Sequence, residues 1–476
     1  MALAGKVAAN TLIQVVTKVA STALSLVSMA LVTRYLGRYG FGQFTTAITF
    51  VTFFSIAADL GLTLVTTQLI SRPGADQSAV MSNLFSFRLV TGIGIIALAP
   101  LAVLFFPYEP IVKQGVGIAA LAFLFVILSQ VFVSLFQREL KTDRIAVAEV
   151  GSRMLMVAMT YLAVRNDWGV SGVLWAMTAA NALSFSLHYL FALRFVTLRW
   201  TFDPKQWRDI LVRSWPLIVT IVMNLVYLKT DTLLLSLLKN QSEVGLYGAA
   251  YRVVDVLITI PFMIGGTVLP ILTARWLSGN REEYRRVWQR VFDASAILAW
   301  PLVAGGFVMA RPIMVLISGE DFAASGSILK VLIFAVGSVF FSAFFSYTMI
   351  SFDQQRKLIP AYIITAVVSV ILYLILIPRF SYYGAAAVTI FSELLIGCLS
   401  LRVIWREFRL RISLKVFGKS LLAAAAMAAL LIWLNLPDSN IWQLLGGVSL
   451  GAAAYAIILY MLKGLSRAEL KELIRR

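Results

Sequence analysis

Fourteen stretches of this chain are long and apolar enough to cross a bilayer, and a backbone in hydrocarbon must close its hydrogen bonds on itself. They lie near residues 7–34, 40–70, 79–106, 111–137, 144–165 and 170–197, then 211–238, 243–274, 284–310, 326–351, 357–378 and 383–405, and finally 413–434 and 441–463. The expected fold is therefore an all-α polytopic membrane protein with about 14 transmembrane helices. Composition agrees: the 476 residues are 60% hydrophobic and 13% charged, whereas soluble domains carry about a quarter charged residues. A single cysteine, Cys398, and a single histidine, His188, exclude a disulfide framework and a zinc site built from several His and Cys ligands. The first apolar segment is too long for a signal-peptide core and is expected to be retained.

A net charge of +18 raises nucleic acid as a partner, but the distribution of basic residues gives a simpler source. The termini and even-numbered connections hold 28 Lys or Arg, the odd-numbered connections eight, and five lie within segments. Cytoplasmic loops are enriched in such residues, so both termini are expected in the cytoplasm and no nucleic-acid partner is expected. No G-x-x-x-x-G-K-[ST] is present, so the chain carries no nucleotide loop of that kind.

The first two sets of six segments resemble each other. A gapless shift of 203 positions over residues 10–72 gives ten identities in 63, among them Val16/Val219, Thr17/Thr220, Gly42/Gly245 and Arg72/Arg275. The shift becomes 212 at Arg144/Arg356, Tyr161/Tyr373 and Gly172/Gly384, as though a loop at 319–326 were inserted. An even number of crossings per repeat implies two six-helix bundles, 1–202 and 203–412, related by a pseudo-twofold axis along the membrane normal, a transporter architecture. Residues 413–476 add two helices and a basic tail outside the repeat.

Polar residues inside segments mark candidate site positions. On segment one, Asn10, Gln14, Lys18, Ser21, Ser25 and Ser28 fall within an arc of about 80°. An ammonium facing lipid costs roughly 2.5 kcal/mol or more, so this stripe should face other helices or water. On segment seven, Thr220, Asn224, Tyr227 and Asp231 share an arc of about 60°, and Ile221 stands where the repeat would place Lys18. Glu149/Arg153 and Arg252/Asp255 are spaced to neutralise one another on one helix. Lys18 and Arg88 lack such neighbours and form the favoured cationic site, while Lys229 points away from Asp231 around its helix. Asp59, Asp231, Asp293 and Glu393 are candidates for a coupling H+ or Na+, or else counter-ions for a cation. His188 and the pairs Gly92/Gly94 and Gly265/Gly266 read as helix packing or hinge positions.

RYLGRYGFGQF (34–44), DLGL (59–62), DTLLLSLLKNQSEVGLYGAAYRVVD (231–255) and Pro270 resemble the polysaccharide flippases of the multidrug/oligosaccharidyl-lipid/polysaccharide exporter superfamily, which includes O-antigen flippases. The resemblance implies a MATE-like fold whose two bundles enclose a cavity open alternately to either side. It implies that undecaprenyl-pyrophosphate-linked oligosaccharide, the repeat unit of a polysaccharide, is moved from the cytoplasmic to the periplasmic leaflet of a bacterial or archaeal cytoplasmic membrane. It also implies that cations in segments one, three, seven and eight, here Lys18, Arg88, Lys229 and Arg252, meet the pyrophosphate. Asn10, Gln14, Ser21, Ser25, Asn224 and Tyr227 would serve the sugar. Expected partners are the lipid-linked glycan, membrane lipid and a polysaccharide polymerase with its chain-length machinery; no cofactor beyond a coupling ion is expected. The rival readings are a drug/cation antiporter of the same fold, which would put acidic residues at the binding surface, and a membrane glycosyltransferase or polymerase. The latter would more often need a large external loop, and no odd-numbered connection exceeds about 20 residues.

Overall fold

The computed structural model describes residues 2–59, 76–139, 141–409, 412–434 and 441–464. Fourteen α-helices lie among them: α1 Ala2–Asp59, α2 Gln77–Ile96, α3 Leu98–Ala102, α4 Pro110–Arg138, α5 Thr142–Arg165, α6 Gly169–Ala192 and α7 Pro204–Leu238. The rest are α8 Gln241–Leu277, α9 Arg281–Val308, α10 Ala310–Ser318, α11 Ala323–Ser351, α12 Ile359–Phe408, α13 Lys415–Leu434 and α14 Ile441–Met461. Twelve helical spans are long and apolar enough to cross a membrane. Two of them, in α1 and α12, contain a break.

At 1.5 Å per residue an unbroken α1 would extend ~87 Å, almost three times the ~30 Å of a hydrocarbon core. Gly37 interrupts it with φ 61° and ψ −175°, a conformation that costs glycine little. Ser381 interrupts α12 with φ 51° and ψ −133°. There the chain reverses, because Tyr373 Oη and Thr389 Oγ1, on opposite arms, lie 3.3 Å apart. Each break falls between two of the expected segments, 7–34 and 40–70 in α1 and 357–378 and 383–405 in α12.

Two compact units comprise residues 1–245 and 246–476. Segment seven, expected to open the second bundle, lies in the first unit as α7, packed on α1. The core of this unit at the even-numbered connections is aromatic and aliphatic: Met81, Leu84 and Phe87 of α2 pack on Phe132, Leu135 and Phe136 of α4. Outside it, the non-helical stretch 196–203 is pinned to α2. The hydroxyls of Ser78, Ser82 and Ser86 accept from the backbone N–H groups of Thr197, Arg199 and Thr201 at 3.1, 2.9 and 3.3 Å. Four residues of helix rise ~6 Å and two residues of extended chain ~6.6 Å, so a serine every fourth position matches every second amide. Asn83 continues the seam, donating to Gln206 Oε1 at 2.7 Å and accepting from Trp207 Nε1 at 2.6 Å.

At the end of the unit that carries the odd-numbered connections, α1 meets the first turn of α8. A Cβ on Gly42 would stand 1.8 Å from the Gln241 carbonyl oxygen, and one on Gly245 would stand 2.0 Å from that of Arg38. Residues 38 and 241, and 42 and 245, are repeat counterparts. Each glycine therefore touches the counterpart of the other's neighbour, the self-complementary pattern of a twofold contact. Thr46 Oγ1 donates to Gln241 Oε1 at 2.8 Å beside it.

In the second unit, α11 packs along α12, and α9 packs on α11 and α13. Trp288, buried on α9, donates its indole N–H to Thr348 Oγ1 at 3.0 Å. The terminal helices α13 and α14 sit on α9 through Ala423, Ala424, Met427, Leu431 and Leu459, and Tyr455 Oη donates to the Ile297 carbonyl at 2.9 Å. Residues 319–326, expected as a loosely inserted loop, are instead a turn and the start of α11. Phe322 and Ser325 are fully buried, and Ser325 Oγ donates to the Leu246 carbonyl at 2.8 Å. A length change here is accommodated by packing, not by open chain.

Two outcomes follow for the first unit. Gly245→Val should drive α8 from the Arg38 carbonyl and lower stability by about 1–3 kcal/mol, read as a lower melting temperature in detergent; an unchanged value would refute the close contact. Ser82→Ala combined with Asn83→Ala should free the 196–203 stretch, and trypsin should then cut after Arg199 faster than in the parent, whose backbone there is tied down.

Candidate functional site

The polar stripe of α1 is divided by its own helical geometry. Ser21 and Ser28 are buried and Ser25 is half-buried, its hydroxyl donating to the Ser21 carbonyl at 2.7 Å. Lys18 lies at the edge of the stripe farthest around the helix from Ser28, and it is exposed, as is Gln14. The stripe thus presents hydroxyls to the protein and an ammonium to the outside of the unit. The side chains of Asn10 and Asp59 lie outside the described residues.

Arg88 differs from Lys18. It has no exposed surface, and its Nη1 donates to the Ile127 carbonyl at 2.9 Å, where α2 passes α4. The close approach there is helped by Gly92, whose added Cβ would meet Leu124 at 3.3 Å. The structure therefore does not place Lys18 and Arg88 on one open surface; Arg88 is internal in this conformation. Lys229 and Arg252 are half-buried.

On α7 the expected polar face is present. Asn224 Nδ2 donates to Tyr227 Oη at 2.6 Å, Tyr227 is buried, and Asp231 has no exposed surface. The Asp231 carboxylate accepts from the backbone N–H and the hydroxyl of Thr232. Glu149 and Arg153, spaced for an ion pair, do not make one among the described contacts: Arg153 is exposed and Glu149 half-buried. Spacing alone allows that pair, but solvent at an exposed arginine competes with it. His188 is buried against Phe136, with Nδ1 2.8 Å from the Ser184 carbonyl, as a packing residue would be. Gly265 fits the same description, since an added Cβ would stand 2.1 Å from the Tyr347 ring, whereas Gly94 and Gly266 face open space.

The acidic candidates also separate. Asp293 accepts from Gln289 Nε2 at 2.9 Å, and that amide also donates to the Ser413 carbonyl and accepts from the Ser413 N–H, both at 2.9 Å. Asp293 thereby orients a clamp on the chain entering α13. Glu393 is buried on α12, and Ser342 Oγ of α11 donates to its Oε2 at 2.8 Å. Ser342, Thr389 and Tyr373 complete a buried polar patch that sequence reasoning does not single out as a site. Their signal would have been hydroxyls at matched distances from the α12 break.

Near the odd-numbered connections, Glu109 accepts from Tyr39 Oη and from Gln43 Nε2, the latter at 2.7 Å. Tyr108 Oη lies 2.7 Å from Ser236 Oγ, and burial pushes its phenol up to about 12, so it remains neutral over ordinary pH.

Residues 7–276 match the family described as polysaccharide biosynthesis protein, and residues 216–378 match the MatE family. A probable low-salt glycan biosynthesis flippase, Agl15 of Haloferax volcanii, is 22% identical over 468 residues, covering 95% of each chain. A probable flippase, AglR of the same organism, is 24% identical over 249 residues; the chain spans 52% of that relative's length. Among solved structures, the lipid II flippase MurJ in an inward closed conformation superposes with a TM-score of 0.78 at 15% identity, covering 95% of this chain and 98% of that one. An inward-facing multidrug resistance MATE family transporter gives 0.66 at 16% identity, over 82% of this chain and 94% of that one. These likenesses establish the fold, and the family match spans more than half of the sequence. The chain belongs to the polysaccharide biosynthesis protein family of the multidrug/oligosaccharidyl-lipid/polysaccharide exporter superfamily.

Proposed function

We propose that this protein is a flippase for lipid-linked glycan, a transporter and not an enzyme. It carries an undecaprenyl-pyrophosphate-linked repeat unit from the cytoplasmic to the periplasmic leaflet by alternating access. The observation that carries this reading is Lys18: an ammonium within a membrane span, exposed as Gln14 one turn earlier is, and on the helix face that carries half-buried Ser25. A lipid carrier's tail can remain in the bilayer, but its phosphates and sugar cannot cross hydrocarbon unaided. A cation flanked by hydroxyl and amide groups offers them charge and hydrogen bonds. The end-to-end similarity to a relative named as a glycan biosynthesis flippase supports the same class.

Among the remaining cations, half-buried Arg252 and Lys229 can assist phosphate contact. Arg88 takes part only if a second conformation exposes it; in the present one it braces α2 against α4. A drug/cation antiporter would present carboxylates to its ligand, yet Asp231 and Glu393 are buried, whereas the Lys18 ammonium is exposed. The 28 to 8 bias of Lys and Arg between the two sets of connections supports a cytoplasmic membrane with both termini inside. The Gly42–Gly245 contact then lies at the periplasmic end of the first unit. A polysaccharide polymerase and its chain-length machinery would receive the flipped unit.

Lys18→Ala should abolish complementation of a flippase-deficient strain at normal membrane levels, and Lys18→Arg should retain part of it. Full activity of the alanine variant would remove Lys18 from the substrate path. Arg88→Ala should behave differently, losing about 2–4 kcal/mol of stability through the cavity it leaves and lowering the amount of folded protein in the membrane.

A further inference from the structure

The two arms of α12 run side by side from Ser381, so residues equally distant from it share a depth. Tyr373 and Thr389, each eight residues away, are 3.3 Å apart, and Tyr247 Oη of α8 lies 3.4 Å from the same Thr389 hydroxyl. By the same measure Glu393 is level with Ser369, and Ser400 with Tyr362, both pairs deeper in the unit. On the first arm, Tyr362, Thr365, Ser369 and Tyr373 fall in one arc of about 80°. Ser342 and Ser346 of α11 face the same region: Ser342 donates to Glu393 at 2.8 Å, and Ser346 Oγ is 3.2 Å from Tyr362 Oη.

These hydroxyls form a column with Glu393 roughly 18 Å from the break, near the middle of a bilayer ~30 Å thick. A lone buried carboxylate is costly unless paired, coordinated or protonated. Among the described residues no Lys, Arg or His makes an ion pair with Glu393. Ser342 of α11 donates to it, the titratable Tyr362 phenol, 3.2 Å from Ser346, is near enough to feel its charge, and on the first arm Ser369 is level with it by residue count, with Thr365 one turn from Ser369 toward Tyr362. Tyr373, and Tyr247 from α8, stand one turn away around Thr389. A second observation points the same way. The hydroxyls of Thr365, Ser369 and Ser400 have no exposed surface and no hydrogen-bond partner among the described residues.

From this geometry we infer that Glu393 is a proton-exchange site, fed along the hydroxyl column between α11 and the arms of α12. The carboxylate takes a proton from water or hydronium entering the column and returns it by the same chemistry; no bond other than O–H forms or breaks. The unpartnered hydroxyls supply donors and acceptors for such relays. A metal cation would need a cage of several oxygens, whereas the described group on Glu393 is one donating hydroxyl. The site stands on its own geometry; its use to drive glycan transport rests on the function proposed above.

Infrared difference spectroscopy of the full-length protein in phosphatidylethanolamine/phosphatidylglycerol vesicles tests this. The pH is stepped upward from about 6, where exposed carboxylates are already ionised. A carboxylic-acid C=O band that vanishes on alkalinisation in the parent, is missing in Glu393→Gln and changes frequency in Ser342→Ala is the expected result. The proposal is overturned if the band survives in Glu393→Gln, if the parent shows none, or if it responds to sodium at constant pH. Retention of this band in a Lys18→Ala protein that still transports would sink the glycan site alone; its absence from the parent would sink the proton site alone.

Discussion

Hydrocarbon offers no hydrogen-bond partner, and most local choices in this structure answer to that fact. The backbone is satisfied by helix. Side-chain hydroxyls inside the spans are largely satisfied the same way, by donation to the carbonyl one turn earlier: Thr33 to Met29, Thr52 to Ile48, Ser129 to Phe125, Ser295 to Val291 and Thr348 to Phe344. Even Arg88 is held by a backbone carbonyl, that of Ile127. Against this background the hydroxyls that do not bond their own helix are informative. Ser78, Ser82 and Ser86 hold a neighbouring non-helical chain, and Ser342 serves a carboxylate.

The crossings, the polar stripes on α1 and α7, and the packing role of His188 were legible because each is a periodicity or a single residue type on one helix. What joins one helix to another was not. The i, i+4 spacing of Glu149 and Arg153 permits contact without supplying it. The cationic candidates Lys18 and Arg88 look alike in sequence, neither having an opposite charge three or four residues away, yet one is exposed and the other sealed. Their difference depends on where α2 meets α4, a contact between residues about 40 positions apart. The buried turn at 319–326 shows the same limit: its glycines and charges read as loop, while Phe322 anchors it from within.

Charge is distributed unequally. The first unit presents a cation at Lys18, while the second encloses a carboxylate at Glu393 among hydroxyls. Repeat counterparts have diverged accordingly, with Ile221 opposite Lys18 and Asp231 opposite Ser28. Matching positions of the repeat thus carry different residue types.

The glycine contact between α1 and α8 puts that divergence in different terms. In a true homodimer every substitution at the twofold acts on both sides at once, so the contact can change only symmetrically. Here the same geometry lies within one chain, and each side can be altered alone. Backbone approach still requires glycine at both 42 and 245, but the flanking positions have already separated into Arg38 and Gln241. Only Gln241 supplies the acceptor for Thr46, and Ala249 stands at the counterpart of Thr46. Within one chain the two faces of such a joint can differ independently.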